Sequence, residues 1–196
     1  MYYLILDLEM SGTEAGYHDI IQIGAVLAGE KWTELGAFET LVYPDNEETF
    51  NSYAEAVHGI SLDDLQEAPS SYEALEAFEA WIRKTLRRKQ GEPLTDVIVC
   101  GQSVLNDVNF LEYQYDALNL EWPFARRILD LVSLTILFYG IFDSNGRSRP
   151  KSYSLDAVAG MFGIARAEGT HNALEDARIT FACFRKYFEI AGGFRL

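Results

Sequence analysis

The chain has 196 residues, and its 48% apolar and 13% aromatic content is enough for the core of one folded domain spanning residues 1–196, which excludes a disordered chain. No run reaches the roughly 18 apolar residues of a membrane span, and the N-terminus lacks a secretory pattern, so we expect a cytoplasmic protein that does not bind a membrane. The formal net charge of −14, taken alone, argues against a protein that binds nucleic acid.

The first predicted element is a buried strand at residues 4–10 that carries two carboxylates near its end. Asp7 and Glu9 are two residues apart, so their side chains point to the same face of the strand. A buried bare carboxylate costs several kcal/mol unless it is paired, hydrogen-bonded or bound to a metal, and this run contains no cationic residue. Two interpretations stay open here: a site that takes its positive charge from elsewhere, or a strand end that emerges into solvent.

The following elements predict an α/β fold with a mixed sheet. Strands at residues 19–27 and 33–42 follow through short turns, which favours an antiparallel meander. A strand at residues 96–100 and a strand followed by a helix within 127–139 alternate with other helices, which favours parallel pairing on the other side. Further helices are predicted at 51–60, 154–162 and 172–190, and another begins at about 106. One more helix opens at the capping box that Ser70 and Glu73 form. Residues 142–152 are predicted to be a loop.

Three local groups of basic residues weaken the argument from net charge, because salt screens charges over about 8 Å and leaves a patch free to act locally. We expect the first group to be an ordinary solvated face. The third group lies on the loop at residues 142–152 and is a candidate contact for the phosphates of a nucleic acid. The groups are Arg83, Lys84, Arg87, Arg88 and Lys89; Arg126 and Arg127; and Arg147, Arg149 and Lys151.

Two more acids and a histidine stand near predicted helix starts. Asp107 follows a strand and a turn, and Asp176 lies in the first turns of the last helix, just after His171. Each has a structural alternative: Asp107 as an N-cap, Asp176 as a partner of the helix dipole, and His171 as a surface residue. Single residues of this kind do not establish a function.

The order of these residues resembles the DEDDh group of 3′→5′ exonucleases, which includes proofreading subunits of bacterial DNA polymerases, ribonuclease T and oligoribonuclease. The resemblance covers residues 3–187 and implies a ribonuclease-H-like mixed five-stranded sheet flanked by helices. The main motifs are Asp7-x-Glu9-Met10-Ser11-Gly12, Asp107 within Asn106-Asp107-Val108-Asn109-Phe110-Leu111, and His171-Asn172-Ala173-Leu174-Glu175-Asp176-Ala177-Arg178. Supporting landmarks are His58-Gly59-Ile60, Asp130 and Ser154-Leu155-Asp156.

The resemblance also implies a chemistry and a site. It makes His171 the general base for the attacking water and implies two Mg²⁺ or Mn²⁺ ions about 3.5–4 Å apart. The implied metal ligands are Asp7, Glu9, Asp107 and Asp176, and the implied contacts to the terminal nucleotide are Met10, Ser11, Gly12 and His58. Because the set includes no internal cation, we expect the metal-free carboxylates to repel one another and at least one to titrate above its normal pKa.

The expected function is a metal-dependent 3′→5′ exonuclease that acts on single-stranded DNA or DNA 3′ ends and releases nucleoside 5′-monophosphates. Gln102, Ser103 and Asn106 depart from the His-Asn and Phe that the family commonly has before the third acid, which leaves substrate preference open. One alternative is an exoribonuclease that trims RNA ends or short oligoribonucleotides. An alternative of another class is an inactive module that binds nucleic acid or a polymerase, and the candidate protein partners are a polymerase or a second copy of the chain.

Overall fold

The protein folds around a five-stranded mixed sheet, described here from a computed structural model that covers residues 1–144, 152–166 and 171–193. The strand order is β3-β2-β1-β4-β5, with antiparallel pairing among the first three strands of the chain and parallel pairing of β1 with β4 and of β4 with β5. The strands are β1 (Tyr2–Met10), β2 (Ile20–Ala28), β3 (Glu34–Leu41), β4 (Val97–Gly101) and β5 (Ile128–Asp130). The predicted mixed sheet is confirmed.

Helices flank this sheet on both faces. They are α1 (Ser52–His58), α2 (Ser71–Thr85), α3 (Leu105–Ala117), α4 (Leu131–Ser144), α5 (Leu155–Met161) and α6 (Ala173–Ala191), with single 3₁₀ turns at Glu47–Thr49 and Asp63–Leu65. Residues 142–144, predicted as loop, instead end α4, because the apolar helical run continues until the Gly- and Pro-containing segment begins. None of these described helices combines the length and the apolar character needed to cross a membrane.

The central strand β1 directs its two faces into different cores. Leu4, Leu6 and Leu8 pack into the core on the side of α2 and α3, whereas Ile5 packs with residues of α6 on the opposite side. Side chains alternate along a strand, so Asp7 and Glu9 share the face of Ile5. The fold therefore directs both acids toward the side of the sheet where α6 lies.

Gly24 lets α6 approach the sheet next to these acids. It pairs with Asp7 across the β1–β2 ladder, and a Cβ atom at Gly24 would lie only 2.1 Å from the carbonyl carbon of Ala173, the first residue of α6. Any other residue here would push the first turn of α6 away from β2. The close approach is what brings the acid of α6 to the acids of β1.

We expect Gly24→Ala to lower the free energy of unfolding by about 1–3 kcal/mol, the usual cost of forcing extra volume into a packed site. Activity should fall further than stability, because α6 carries Asp176. Gly36→Ala on β3 is the matched control, since its Cβ would meet its nearest neighbour at an ordinary 3.5 Å. Urea unfolding of both variants measures the effect, and equal midpoints for the two would contradict it.

Candidate active site

Four acids from three elements converge beside β1. Asp7 and Glu9 come from β1, Asp107 from α3 and Asp176 from α6. Glu9, Asp107 and Asp176 are only 9%, 7% and 5% exposed, so these carboxylates do not end in bulk solvent. One ligand atom each of Glu9, Asp176 and His171 lies within 4.8 Å of the other two. The strand-end interpretation of Asp7 and Glu9 is therefore excluded, because they face other acids.

Asp107 joins α3 to the central strand. It is the third residue of α3, whose N-cap is Val104, so the N-cap interpretation of Asp107 is wrong. Its Oδ1 accepts a hydrogen bond of 3.0 Å from the backbone N–H of Leu8, the residue between the two strand acids. Asp130 accepts the N–H groups of Val104 and Ser133, each at 2.9 Å, and so fixes the start of α3 against β5 and α4.

A polar network built on the buried Gln22 fixes the start of α6. Gln22 of β2 accepts the N–H of Ala173 at 3.1 Å and donates to Glu39 of β3 at 3.0 Å. Asn172, the N-cap of α6, donates to the same Glu39 oxygen at 2.7 Å. Sequence reasoning missed this network, and its available signal was a glutamine inside an otherwise apolar strand.

His171 lies at the edge of the acid cluster. Its Nδ1 is 3.0 Å from Oδ2 of Asp176, and its side chain is 46% exposed, so it contacts both the carboxylate and the solvent. Its backbone N–H donates to the carbonyl of Val57 in α1 at 3.3 Å. His58, which follows Val57 in α1, is buried. Its Nδ1 accepts the N–H of Ile60, which leaves the proton on Nε2. Within the described part of the chain that Nε2 has no hydrogen-bond partner, and burial lowers the pKa of His58.

An arginine that no motif contains corrects the expectation of a cluster without an internal cation. Nη1 of Arg166 donates to Oδ1 of Asp176, and its Nε donates to Oδ1 of Asp156 at 3.3 Å. The guanidinium is largely buried, with 12% of its side chain exposed. Arg166 lies between α5 and His171, where the sequence offers only a single arginine outside any recognisable pattern.

Burial and the charges of neighbouring acids raise the pKa values of Asp7, Glu9 and Asp107. Burial, followed by the charges of Asp107 and Asp176, raises the pKa of Asp7 well above its usual range. Burial and the charge of Asp176 raise the pKa of Glu9 to about 7, and burial raises the pKa of Asp107 to about 7. The charge of Arg166 opposes this rise at Asp7 and Glu9, although it is not strong enough to cancel it.

We expect Asp107→Asn to abolish turnover while the metal-free protein becomes at least as stable as wild type. Asparagine keeps an oxygen for the Leu8 N–H and cannot ionise. A pKa raised on folding from 3.8 to about 7 means that wild type loses stability as the pH rises through that window, by about 4 kcal/mol. Asp107→Asn should therefore gain on wild type between pH 4 and 8 in EDTA.

Melting curves in EDTA and in Mn²⁺ measure this difference. Mn²⁺ should stabilise the variant clearly less than wild type, for which an ion at about 100 times its Kd contributes about 2.7 kcal/mol. An Asp107→Asn protein that melts well below wild type in EDTA would show that Asp107 is chiefly a structural acid.

The residues after Glu9 form a compact turn beside the acids. Met10 is partly exposed, whereas Ser11 is fully buried and its Oγ accepts the N–H of Asp19 at 2.9 Å. The ring of His18 covers Gly12 so closely that a Cβ there would lie 2.0 Å from the imidazole. The hydroxyl of Ser11 is thus used within the fold, and a side chain at position 12 would have to displace the ring of His18.

The three departures from the family pattern lie in and after the turn between β4 and α3. The amide of Gln102 donates to the carbonyl of Tyr153, just before α5. Ser103 has a left-handed φ of +53°, and both Ser103 and Asn106 are exposed. Of the three, Gln102 thus has a structural role, because it joins this turn to the segment that leads into α5.

The basic groups are placed differently from one another. Arg83 is buried and pairs with Glu79 at 2.6 Å, so the expectation of a solvated face is wrong for it. Arg88 forms a two-pronged ion pair with Asp96, with both distances 2.7 Å. The third group, Arg147, Arg149 and Lys151, lies outside the described residues.

Comparison with known proteins places this chain in a family. The family model for exonucleases of the RNase_T type matches residues 4–184. The chain is 26% identical to the 3′-5′ DNA exonuclease Cap18 of Escherichia coli over 93% of this chain and 89% of that protein. It is also 26% identical to a PolC-type DNA polymerase III of Thermotoga maritima, over 96% of this chain but only 12% of the polymerase.

The fold has close structural counterparts. The nuclease domain of 3′hExo, a DEDDh family member bound to rAMP, matches with a TM-score of 0.74 at 19% identity, covering 99% of this chain and 94% of that domain. The zinc-bound Escherichia coli ExoI–ssDNA complex matches with a TM-score of 0.74 at 17% identity, covering 96% of this chain and 42% of that one. With its ribonuclease-H-like sheet and converging acids, the chain belongs to the exonuclease family, as a 3′→5′ exonuclease of the DEDDh type.

Proposed function

We propose that this exonuclease removes nucleotides from the 3′ ends of DNA, single-stranded or frayed, and releases nucleoside 5′-monophosphates. The observation that carries the proposal is the cluster in which Glu9, Asp176 and His171 offer ligand atoms within 4.8 Å of one another, beside Asp7 and Asp107. The choice of DNA draws on the likeness to Cap18, a DNA exonuclease that this chain matches over 89% of its length.

The donor set fits divalent metal ions. Its carboxylate oxygens are hard ligands of the kind that Mg²⁺ and Mn²⁺ prefer, and a bound cation would offset the burial and repulsion that raise the pKa of Asp7. We assign Asp7, Glu9, Asp107 and Asp176 as ligands of two ions. When bound, such ions lower the pKa of the attacking water and stabilise the charge on the leaving 3′ oxygen.

Other residues supply the general base and the contacts to the terminal nucleotide. His171 has the exposure and the carboxylate contact of a general base: Asp176 orients its ring through Nδ1, and the solvent side is open to the attacking water. The partly exposed Met10 and the backbone of Ser11 and Gly12 line the place of the terminal nucleotide. The Nε2–H of His58, which has no hydrogen-bond partner among the described residues, is the candidate donor there.

RNA is the second candidate substrate. It is favoured by the close fold match to the 3′hExo nuclease domain, whose structure holds rAMP, and by the departures at Gln102, Ser103 and Asn106 next to the third acid. A binding module without catalysis is disfavoured, because burying several carboxylates together costs stability that binding alone does not require. Partial matches to polymerase III proteins, including the epsilon subunit of Escherichia coli, support a polymerase as a candidate partner.

Incubation with Mn²⁺ and 5′-labelled DNA and RNA oligonucleotides of the same sequence tests the proposal. The expected result is a ladder shortened from the 3′ end, faster on DNA, with nucleoside 5′-monophosphates as products and no reaction in EDTA. A 3′-phosphorylated oligonucleotide serves as a control for attack at a free 3′ end. Activity that survives EDTA would contradict the metal assignment. Faster cleavage of RNA would make RNA, and not DNA, the preferred substrate.

A further inference from the structure

Arg166 forms a hydrogen bond with the carboxylate of Asp176, one of the proposed metal ligands. Its Nη1 donates to Oδ1 of Asp176, while Oδ2 of the same carboxylate lies 3.0 Å from Nδ1 of His171. Both oxygens of Asp176 therefore already have a partner from the chain. The charge of the guanidinium replaces, at this carboxylate, the charge that an ion would bring.

We propose that Arg166 is a displaceable counter-cation that neutralises Asp176 in the metal-free enzyme and leaves it when a divalent ion binds. The inference rests on the proposed function, because it takes Asp176 as a metal ligand. A guanidinium and a divalent ion on one carboxylate would lie a few ångströms apart with like charges, in a site that is 5% exposed at Asp176. Repulsion of that kind in a poorly solvated place makes the two occupants alternatives.

The contacts of Arg166 suit such an exchange. The strongest arginine–carboxylate pairs are two-pronged, yet Arg166 contacts Asp176 through Nη1 alone. Its Nη2 is buried and has no hydrogen-bond partner among the described residues. Only the hydrogen bond from Nη1 to Asp176 therefore has to break. Nη1 would then lack a partner, as Nη2 already does among the described residues.

Asp156 keeps the displaced side chain close to the site. The Nε of Arg166 is 3.3 Å from Oδ1 of Asp156 in α5, whose side chain is 64% exposed and lies outside the acid cluster. Arg166 belongs to neither α5 nor α6, so its side chain can shift without breaking the hydrogen bonds of a helix or strand. The same arginine is thus positioned to return when the ion leaves.

Metal binding to R166Q and to the control R126Q tests the inference. Arg126 also pairs with a carboxylate, that of Glu112 at 2.9 Å, but its side chain is 75% exposed and outside the site. Both variants lose one positive charge. Calorimetric titration with Mn²⁺, without substrate, should give R166Q a Kd about ten- to a hundred-fold lower than wild type, the factor that one hydrogen bond to a charged group represents. R126Q should keep the wild-type Kd.

Thermal melting distinguishes an exchange from a fixed structural bond. In EDTA, R166Q should melt below wild type, because Asp176 has lost its counter-charge. At saturating Mn²⁺ the two should melt together, because wild type no longer uses the Arg166–Asp176 pair and the exposed Asp156 contact contributes little. R166Q is therefore purified in Mn²⁺.

Three results would overturn the inference. They are equal Kd values for R166Q and R126Q, a deficit in melting temperature that persists unchanged at saturating Mn²⁺, and an R166Q protein that stays unfolded with Mn²⁺ present. Wild-type protein that binds no Mn²⁺ would remove the proposed metal site as well. If wild type binds Mn²⁺ and R166Q binds it with the same Kd, the metal site stands and only the proposed exchange of Arg166 is wrong.

Discussion

Asp7→Asn is expected to lower kcat by at least about 10³-fold, more than the loss of one transition-state hydrogen-bond donor usually costs, because it removes a charge shared by the proposed ions. The substitution keeps the shape of the side chain and the backbone ladder of β1. Burial and the neighbouring acids already raise the pKa of Asp7 well above its usual range. Asparagine cannot ionise and so avoids this cost of burial and repulsion, and the variant should melt in EDTA at or slightly above the wild-type temperature.

The combination of lost activity with retained stability is the result that identifies a ligand. Asp116→Asn is the matched control, because it removes an exposed carboxylate from α3 and should leave kcat within about twofold of wild type. Single-turnover rates at saturating Mn²⁺ give the comparison, with melting curves in EDTA for each protein. An Asp7→Asn protein that retained more than about a tenth of the wild-type kcat would reassign the strand acids to a structural role.

The features that sequence could predict are those fixed by local patterns. Alternation along residues 4–10 placed Leu4, Leu6 and Leu8 on one face, opposite Asp7 and Glu9, because a strand has a strict period of two. The capping box of α2 was equally readable, since Ser70 and Glu73 bond to each other's backbone. Short connections between the first strands and longer ones later predicted the change from antiparallel to parallel pairing.

The features that sequence missed depend on contacts between distant segments. The start of α3 is held by Asp130, which accepts the N–H of Val104 from 26 residues away, a contact that the local sequence near 106 does not reveal. Gly24 matters only because α6 lies against it. Arg166 looks like any arginine in a connection until the fold places its guanidinium against Asp176.

His171→Ala is expected to lower kcat by roughly 10²–10⁴-fold and to leave the Kd for Mn²⁺ near the wild-type value, because a general base contributes about that factor and is not itself a ligand. The side chain is half exposed and contacts Asp176 through one nitrogen, so removing it leaves no buried cavity. The fold should therefore tolerate the change, and the acid limb of the pH–rate profile should flatten.

The competing assignment for His171 is that of a metal ligand, because its ring nitrogen lies within 4.8 Å of the oxygens of Glu9 and Asp176. A ligand and a base respond to metal concentration in opposite ways. If His171 were a ligand, His171→Ala would bind Mn²⁺ weakly and recover its kcat once the metal was saturating. If it is the base, the loss of kcat persists at any Mn²⁺ concentration, and added imidazole restores part of the rate. Titrating Mn²⁺ in single-turnover assays of wild type and variant separates the two, and recovery at high metal would move His171 into the ligand set.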